Sequence, residues 1–218
     1  MAGRSERASR ARRWEHHAPL TGAAAVVLWV VGVLAGGDKT NKDKGVDILA
    51  AVRDNSNQIL LSGFLFLLGT ALFIWFLGTL RNRLLAAEGE PGRLAATAFA
   101  GGVATAVCLA LFPGPDMAAA INKDDLDPSA ASAMHKLGDA FFIGAEYLAP
   151  VLLVATALAA LRFGVLPRWL AWVSLVIALV LLIGPIGWAA LIFAFPLWVA
   201  VVSILLWRWW PRTAAAAT

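Results

Sequence analysis

Trp169-Leu170-Ala171-Trp172-Val173-Ser174-Leu175-Val176-Ile177-Ala178-Leu179-Val180-Leu181-Leu182-Ile183-Gly184-Pro185-Ile186-Gly187-Trp188 opens an uncharged run that continues to Trp207. As one helix these roughly 39 residues would extend about 58 Å, nearly twice the thickness of a bilayer's hydrocarbon core. Gly184-Pro185-Ile186-Gly187 lies near the middle and is a helix-breaking group. The run therefore reads as a hairpin of two membrane spans with its turn at that tetrapeptide.

Four further stretches lack Lys, Arg and Asp: Leu20 to Gly37, Gln58 to Leu80, Leu94 to Pro113 and Ala140 to Leu161, of which only the last contains a Glu. The expected fold is all-α, a six-span helix bundle with spans at 20–37, 58–80, 94–113, 137–161, 169–184 and 188–207. One membrane domain, 18–210, is flanked by a basic tail at 1–17 and a short C-terminal tail at 211–218. Composition agrees: 60% of the 218 residues are apolar and 15% charged, against about 45–50% and about 25% in soluble domains. A soluble enzyme, a disulfide-stapled secreted domain and a disordered chain are excluded, the first because so apolar a surface needs lipid, the second because Cys108 has no partner cysteine.

Cations set the orientation, because Lys and Arg near span ends stay on the cytoplasmic side. With the N-terminus inside, the inner segments carry 12 cations and the outer ones 6. Both termini are expected in the cytoplasm of a bacterial inner membrane. Trp14, Trp75, Trp169, Trp172, Trp207, Trp209 and Trp210 fall near the inner boundaries, where amphipathic rings settle. Arg12-Arg13 suits anchoring to anionic lipid headgroups and not an export signal, since Trp14-Glu15-His16-His17 follows it.

In the first outer loop, apolar residues from Val46 to Val52 recur at helical spacing and predict a short amphipathic helix within 46–57, lying on the outer surface or running into span two. Asp127-Pro128-Ser129 predicts the start of a helix reaching Leu161, about 51 Å long, with its first turns above the membrane and Pro150 as a candidate kink. Gly32 to Gly36, and Ala98, Gly102 and Ala106, offer small-residue faces for packing within the bundle.

One residue asks for a chemical reason. Glu146 is the only ionisable acid or base well inside a proposed span. Such groups face a bundle interior or a wet cavity and point to a proton, ion or ligand site. His135, Asp139 and Glu146 share one side of span four, while Asn55, Gln58 and Ser62 follow a matching stripe on span two. The expected site is an outward-open polar pocket of Glu146, Asp139, Gln58, Ser62 and Thr105, with Glu146 protonated or sharing its proton unless water or a bound cation reaches it. The competing reading is a neutral Glu146 hydrogen-bonded to a neighbouring helix.

No catalytic constellation, metal site, cofactor or nucleic-acid partner is expected. His16, His17 and His135 lie outside the core and cannot serve as paired haem ligands. The Asn122 to Asp127 loop lacks the glycine and closing Glu of an EF-hand. Ser174 and Ser203 stand in apolar surroundings with no His or Lys nearby in sequence.

The segments Ala71 to Leu84, Glu90-Pro91-Gly92-Arg93-Leu94-Ala95-Ala96 and Gly164-Val165-Leu166-Pro167-Arg168-Trp169-Leu170 resemble small integral membrane proteins of high-GC bacteria near domain of unknown function 4386. The likeness spans most of 20–207 and implies a multi-span inner-membrane protein with no catalytic residue to carry over. The expected function is that of a small scaffold, sensor or partner subunit, with the bilayer and a membrane protein or second copy as partners. The alternative is a small transporter or channel using the pocket around Glu146.

Overall fold

The computed structural model describes residues 17–36 and 44–214, with side chains to residue 208. The basic tail to residue 16, the opening of the first outer loop, and the side chains of Trp209, Trp210 and Arg212 lie outside the described residues. Among those described there are helices and no strands.

The helices are α1 (Leu20–Ala35), α2 (Gly45–Asp54), α3 (Ser56–Glu88), α4 (Arg93–Leu111), α5 (Gly114–Ile121), α6 (Pro128–Phe163), α7 (Arg168–Leu181), α8 (Gly184–Ala189) and α9 (Phe195–Ala214), with a π-helical segment at Ala190–Ala194. Four helical stretches are long and apolar enough to cross a membrane: Ser56–Glu88, Arg93–Ile121, Pro128–Phe163 and Gly184–Arg208. The apolar helices α1 and α7 are shorter, with 16 and 14 residues, or about 24 and about 21 Å.

Six of these elements form a ring in chain order. α1 packs on α3, α3 on α4, α4 on α6 and α6 on α7; α7 meets α9 through the Trp198–Ser174 hydrogen bond, and α9 returns to α1. Close approaches fix an antiparallel register. A Cβ on Gly101 would meet Val151 Cβ at 2.7 Å and Leu152 N at 2.8 Å, while one on Gly138 would meet the Phe112 carbonyl at 3.0 Å. Gly32 lies against the α3 backbone at Ser62 and Phe66, and Ala98, Gly102 and Ala106 are buried. The small-residue faces thus pack inside the bundle, as the sequence suggested.

The ring closes through Ser203, which donates to the Pro19 carbonyl and accepts from Ala23 N–H at 3.0 Å. It thereby satisfies a backbone donor in the first turn of α1, which has no capping side chain of its own. Ser174 plays a similar part, accepting from Trp198 Nε1 at 2.7 Å and donating to the Leu170 carbonyl at 2.7 Å. Both serines are hydrogen-bonded, and none of these partners is a His or Lys. The hydroxyls find partners across the bundle and on their own helix.

The hairpin forms, but with its turn earlier than expected. α7 ends at Leu181, and Ile183 carries the reversal in an extended conformation (φ −96°, ψ 90°). Gly184-Pro185-Ile186-Gly187 instead opens α8, because proline in a first helical turn gives up no needed donor. Downstream, Phe195 N–H bonds to the Ala190 carbonyl five residues back, the π register. Pro196, next in the chain, has no N–H to continue the ladder.

Two further elements complete the fold. A break at Asn55 separates α2 from α3, so the amphipathic segment is a helix of its own. It lies on protein: Ile48, Leu49 and Val52 are buried with Ile59, Ala119, Ala120 and Ala131. Asp127 caps α6 as expected, accepting from the Ser129 hydroxyl and from the N–H groups of Ser129 and Ala130, and α6 runs on through Pro150. At the opposite end Gly92, with φ +64°, starts α4 in a left-handed conformation that glycine adopts freely. Glu88 supplies the missing cap by accepting from Leu94 and Ala95 N–H at 2.9 Å each.

Candidate functional site

A cavity of about 410 Å³ opens among the ends of α1, α3, α4, α5 and α6, and Ile192 of the π-helical segment also lines it. This end of the bundle is opposite Arg81, Arg83, Arg93, Arg162, Arg168 and Arg208, which the antiparallel register gathers together. Ser62, Asp116, His135 and Asp139 supply its polar groups, and Phe66, Phe112 and Phe142 are among its apolar ones. The size falls in the range of small-molecule sites, about 300–1,000 Å³.

The aromatic lining continues into the core. Phe142 and Phe112 have ring centroids 5.4 Å apart, Phe112 and Phe66 5.7 Å, and Phe66 and Trp29 6.1 Å. Trp29 then meets Phe73 at 5.3 Å and Phe195 at 6.5 Å. Its indole N–H donates to Thr70 Oγ1 at 3.1 Å, which fixes the ring. Phe66 is therefore held from behind by a buried tryptophan, and the cavity wall is preorganised on the side of α3.

His135 on α6 lies 3.2 Å from Asp116 on α5, Nδ1 to Oδ1. The contact is a hydrogen bond when Nδ1 carries the proton and an ion pair when the imidazole is charged. It ties α5, which packs on α3 and α6, to the cavity rim. The sequence reading missed α5 by ending span three at Pro113 and treating what followed as loop. Pro115 in the first turn of α5 was the available signal.

Of the residues expected to form one pocket, the structure brings Ser62 and Asp139 together in this cavity. It places the others elsewhere. Gln58 is exposed. Thr105 is fully buried and donates to the Gly101 carbonyl of its own helix at 2.8 Å. Glu146 is buried, 4% exposed, and turned toward the start of α8, where its carboxyl group abuts Gly187. No donor among the described residues hydrogen-bonds to it. The Leu181 carbonyl faces the same spot, 2.6 Å from where a Cβ on Gly187 would stand. Depth along α6 was legible from residue spacing, but the way Glu146 points depended on a turn whose position the sequence placed three residues late.

At the start of α6, the Ser129 hydroxyl and the N–H groups of Ala130 and Ser129 hold the Asp127 carboxyl below its ordinary value. No family model, curated protein or solved structure matches the chain.

Proposed function

We propose that the chain is a six-span protein of a bacterial cytoplasmic membrane, with both termini inside, acting as a sensor or partner subunit that receives a small ligand from the outer side. The outward apolar faces of α1 and α7 support counting them as spans. Val27, Val30, Val31 and Leu34 on α1 are exposed, as are Trp172, Val176 and Leu179 on α7. A continuous apolar belt suits lipid and is costly in water. Turns just before Leu20 and after Leu181 supply the remaining length.

The observation that carries the ligand reading is the cavity, whose lining holds Asp139, the Asp116–His135 pair and three phenylalanine rings. That combination favours a small organic cation with an apolar body: the carboxylates attract the charge and the ring faces solvate it by cation–π attraction. Thermal unfolding of purified protein in detergent, with benzyltrimethylammonium against benzenesulfonate as probes, tests it. Stabilisation by the cation that rises with its concentration, and is absent in Asp139→Asn, supports the proposal. Equal effects of the two probes overturn it.

A second reading, a transporter, has one observation in its favour. Buried Glu146 meets Gly187 in α8, just past the α7–α8 break and five residues before Ile192 of the cavity wall. Interrupted helices beside an intramembrane acid are how transporters build ion sites. Proton movement into proteoliposomes on adding the cation, abolished by Glu146→Gln, would select it.

A further inference from the structure

At the arginine-rich end, α3 and α4 flank a trough of about 620 Å³ lined by Trp75, Gly78, Arg81, Asn82, Ala96 and Phe99, among others. We propose that it binds an anionic phospholipid of the inner leaflet, an inference that rests on the membrane reading above.

Arg81 carries the charge. Its guanidinium stands 5.8 Å from the centroid of the Phe99 ring and makes no ion pair among the described residues. The carboxylate of Glu88, two turns along the same helix, is already engaged, its oxygens accepting from Leu94 and Ala95 N–H in the first turn of α4. The ring holds the guanidinium from one side and leaves its remaining donors for an external acceptor, and a phosphate diester matches that fork. Asn82, exposed beside it, adds an amide donor.

The rest of the trough has no use for a free anion. A Cβ at Gly78 would meet nothing within 4 Å, so the floor is open where α3 could have filled it. Trp75, 64% exposed, forms an apolar wall one further turn into the bundle. A headgroup at Arg81 and Asn82 therefore places the glycerol over Gly78 and an acyl chain along Trp75, pointing into the bilayer. Basic pockets between spans on the cytoplasmic side recognise anionic headgroups in this way.

Native mass spectrometry of the full chain, released from micelles holding equal phosphatidylglycerol and phosphatidylcholine, tests the site. Phosphatidylglycerol should be retained about fivefold over phosphatidylcholine, the effect of one basic residue at an anionic surface. Arg81→Gln should bring the ratio close to one. Gly78→Leu, which keeps the charge but fills the floor, should lower retention of both lipids, with helix content by circular dichroism confirming that each variant folds. Equal retention by the native chain, or an unchanged ratio in Arg81→Gln, overturns the proposal, and displacement by excess inorganic phosphate assigns the site to a free anion instead. Recovery of the protein in the aqueous fraction without detergent would overturn the membrane reading itself; a membrane-extracted protein without lipid preference overturns only the trough.

Discussion

The carboxyl group of Glu146 fills the place that a side chain on Gly187 would take, so α6 and the start of α8 fit together through one acid and one glycine. Gly187→Ala should destabilise the protein by about 1–3 kcal/mol through overpacking. Shortening the acid in Glu146→Ala should recover part of that loss in the double variant. Recovery stays partial because the Leu181 carbonyl, a backbone atom, crowds the same point at 2.6 Å. A double-mutant cycle from unfolding in mixed micelles reads the coupling; additive losses would show that the two residues do not meet.

Cavity binding and Glu146 should separate. Phe112→Ala removes one ring of the wall and should weaken benzyltrimethylammonium binding about fivefold, in line with about 1 kcal/mol per cation–π contact. Glu146→Gln should leave the same dissociation constant unchanged, since its carboxyl faces Gly187 and not the cavity. Calorimetric titration of both variants decides this.

Ser203→Ala should cost about 1–3 kcal/mol, because it strands the Ala23 N–H in a buried setting, while the Pro19 carbonyl keeps its bond from Gly22 N–H. Hydrogen exchange should quicken first in the opening turn of α1, and slow exchange there in the variant would count against the bond.

The start of α6 should depend on pH. Asp127 is held below its ordinary value by bonds that require its charge. Its contribution is complete above that ordinary value and fades as pH falls through the lowered one. Protection of the Ser129 and Ala130 amides should therefore decline in acid. Asp127→Asn should show a flatter profile over the same window.

Gly101→Leu should separate α4 from α6, since even a Cβ would meet Val151 at 2.7 Å and backbone at 2.8 Å. A loss of several kcal/mol or failure to accumulate is expected, whereas Gly114→Ala, where nothing stands within 4 Å, should be tolerated. Detergent-extracted yield and unfolding midpoint compare the two.

Helix positions were readable in the sequence wherever a long apolar run met a strong local cap. Asp127-Pro128 marked the start of α6 because the cap and the proline act on neighbouring backbone groups. The hairpin was readable as an interruption but misplaced, since Gly-Pro breaks a helix from its interior and also opens one from its start, and local sequence does not say which. The cavity was half legible: Ser62 and Asp139 follow from span depth. Asp116 did not, because α5 is short and its place depends on packing against α3 and α6. The direction of Glu146 and the partners of Ser174 and Ser203 are matters of tertiary packing, which no spacing rule within one helix encodes.

Because α9 seals against α1 through Ser203 and Pro19, the bundle is a cycle that closes only after all the helices between them have been made. Until α9 leaves the ribosome, the Ala23 amide and the Trp29 ring that Phe195 covers have no protein neighbour on that side. A nascent chain arrested before residue 195 should dwell on the insertion machinery, and release should follow the arrival of one serine.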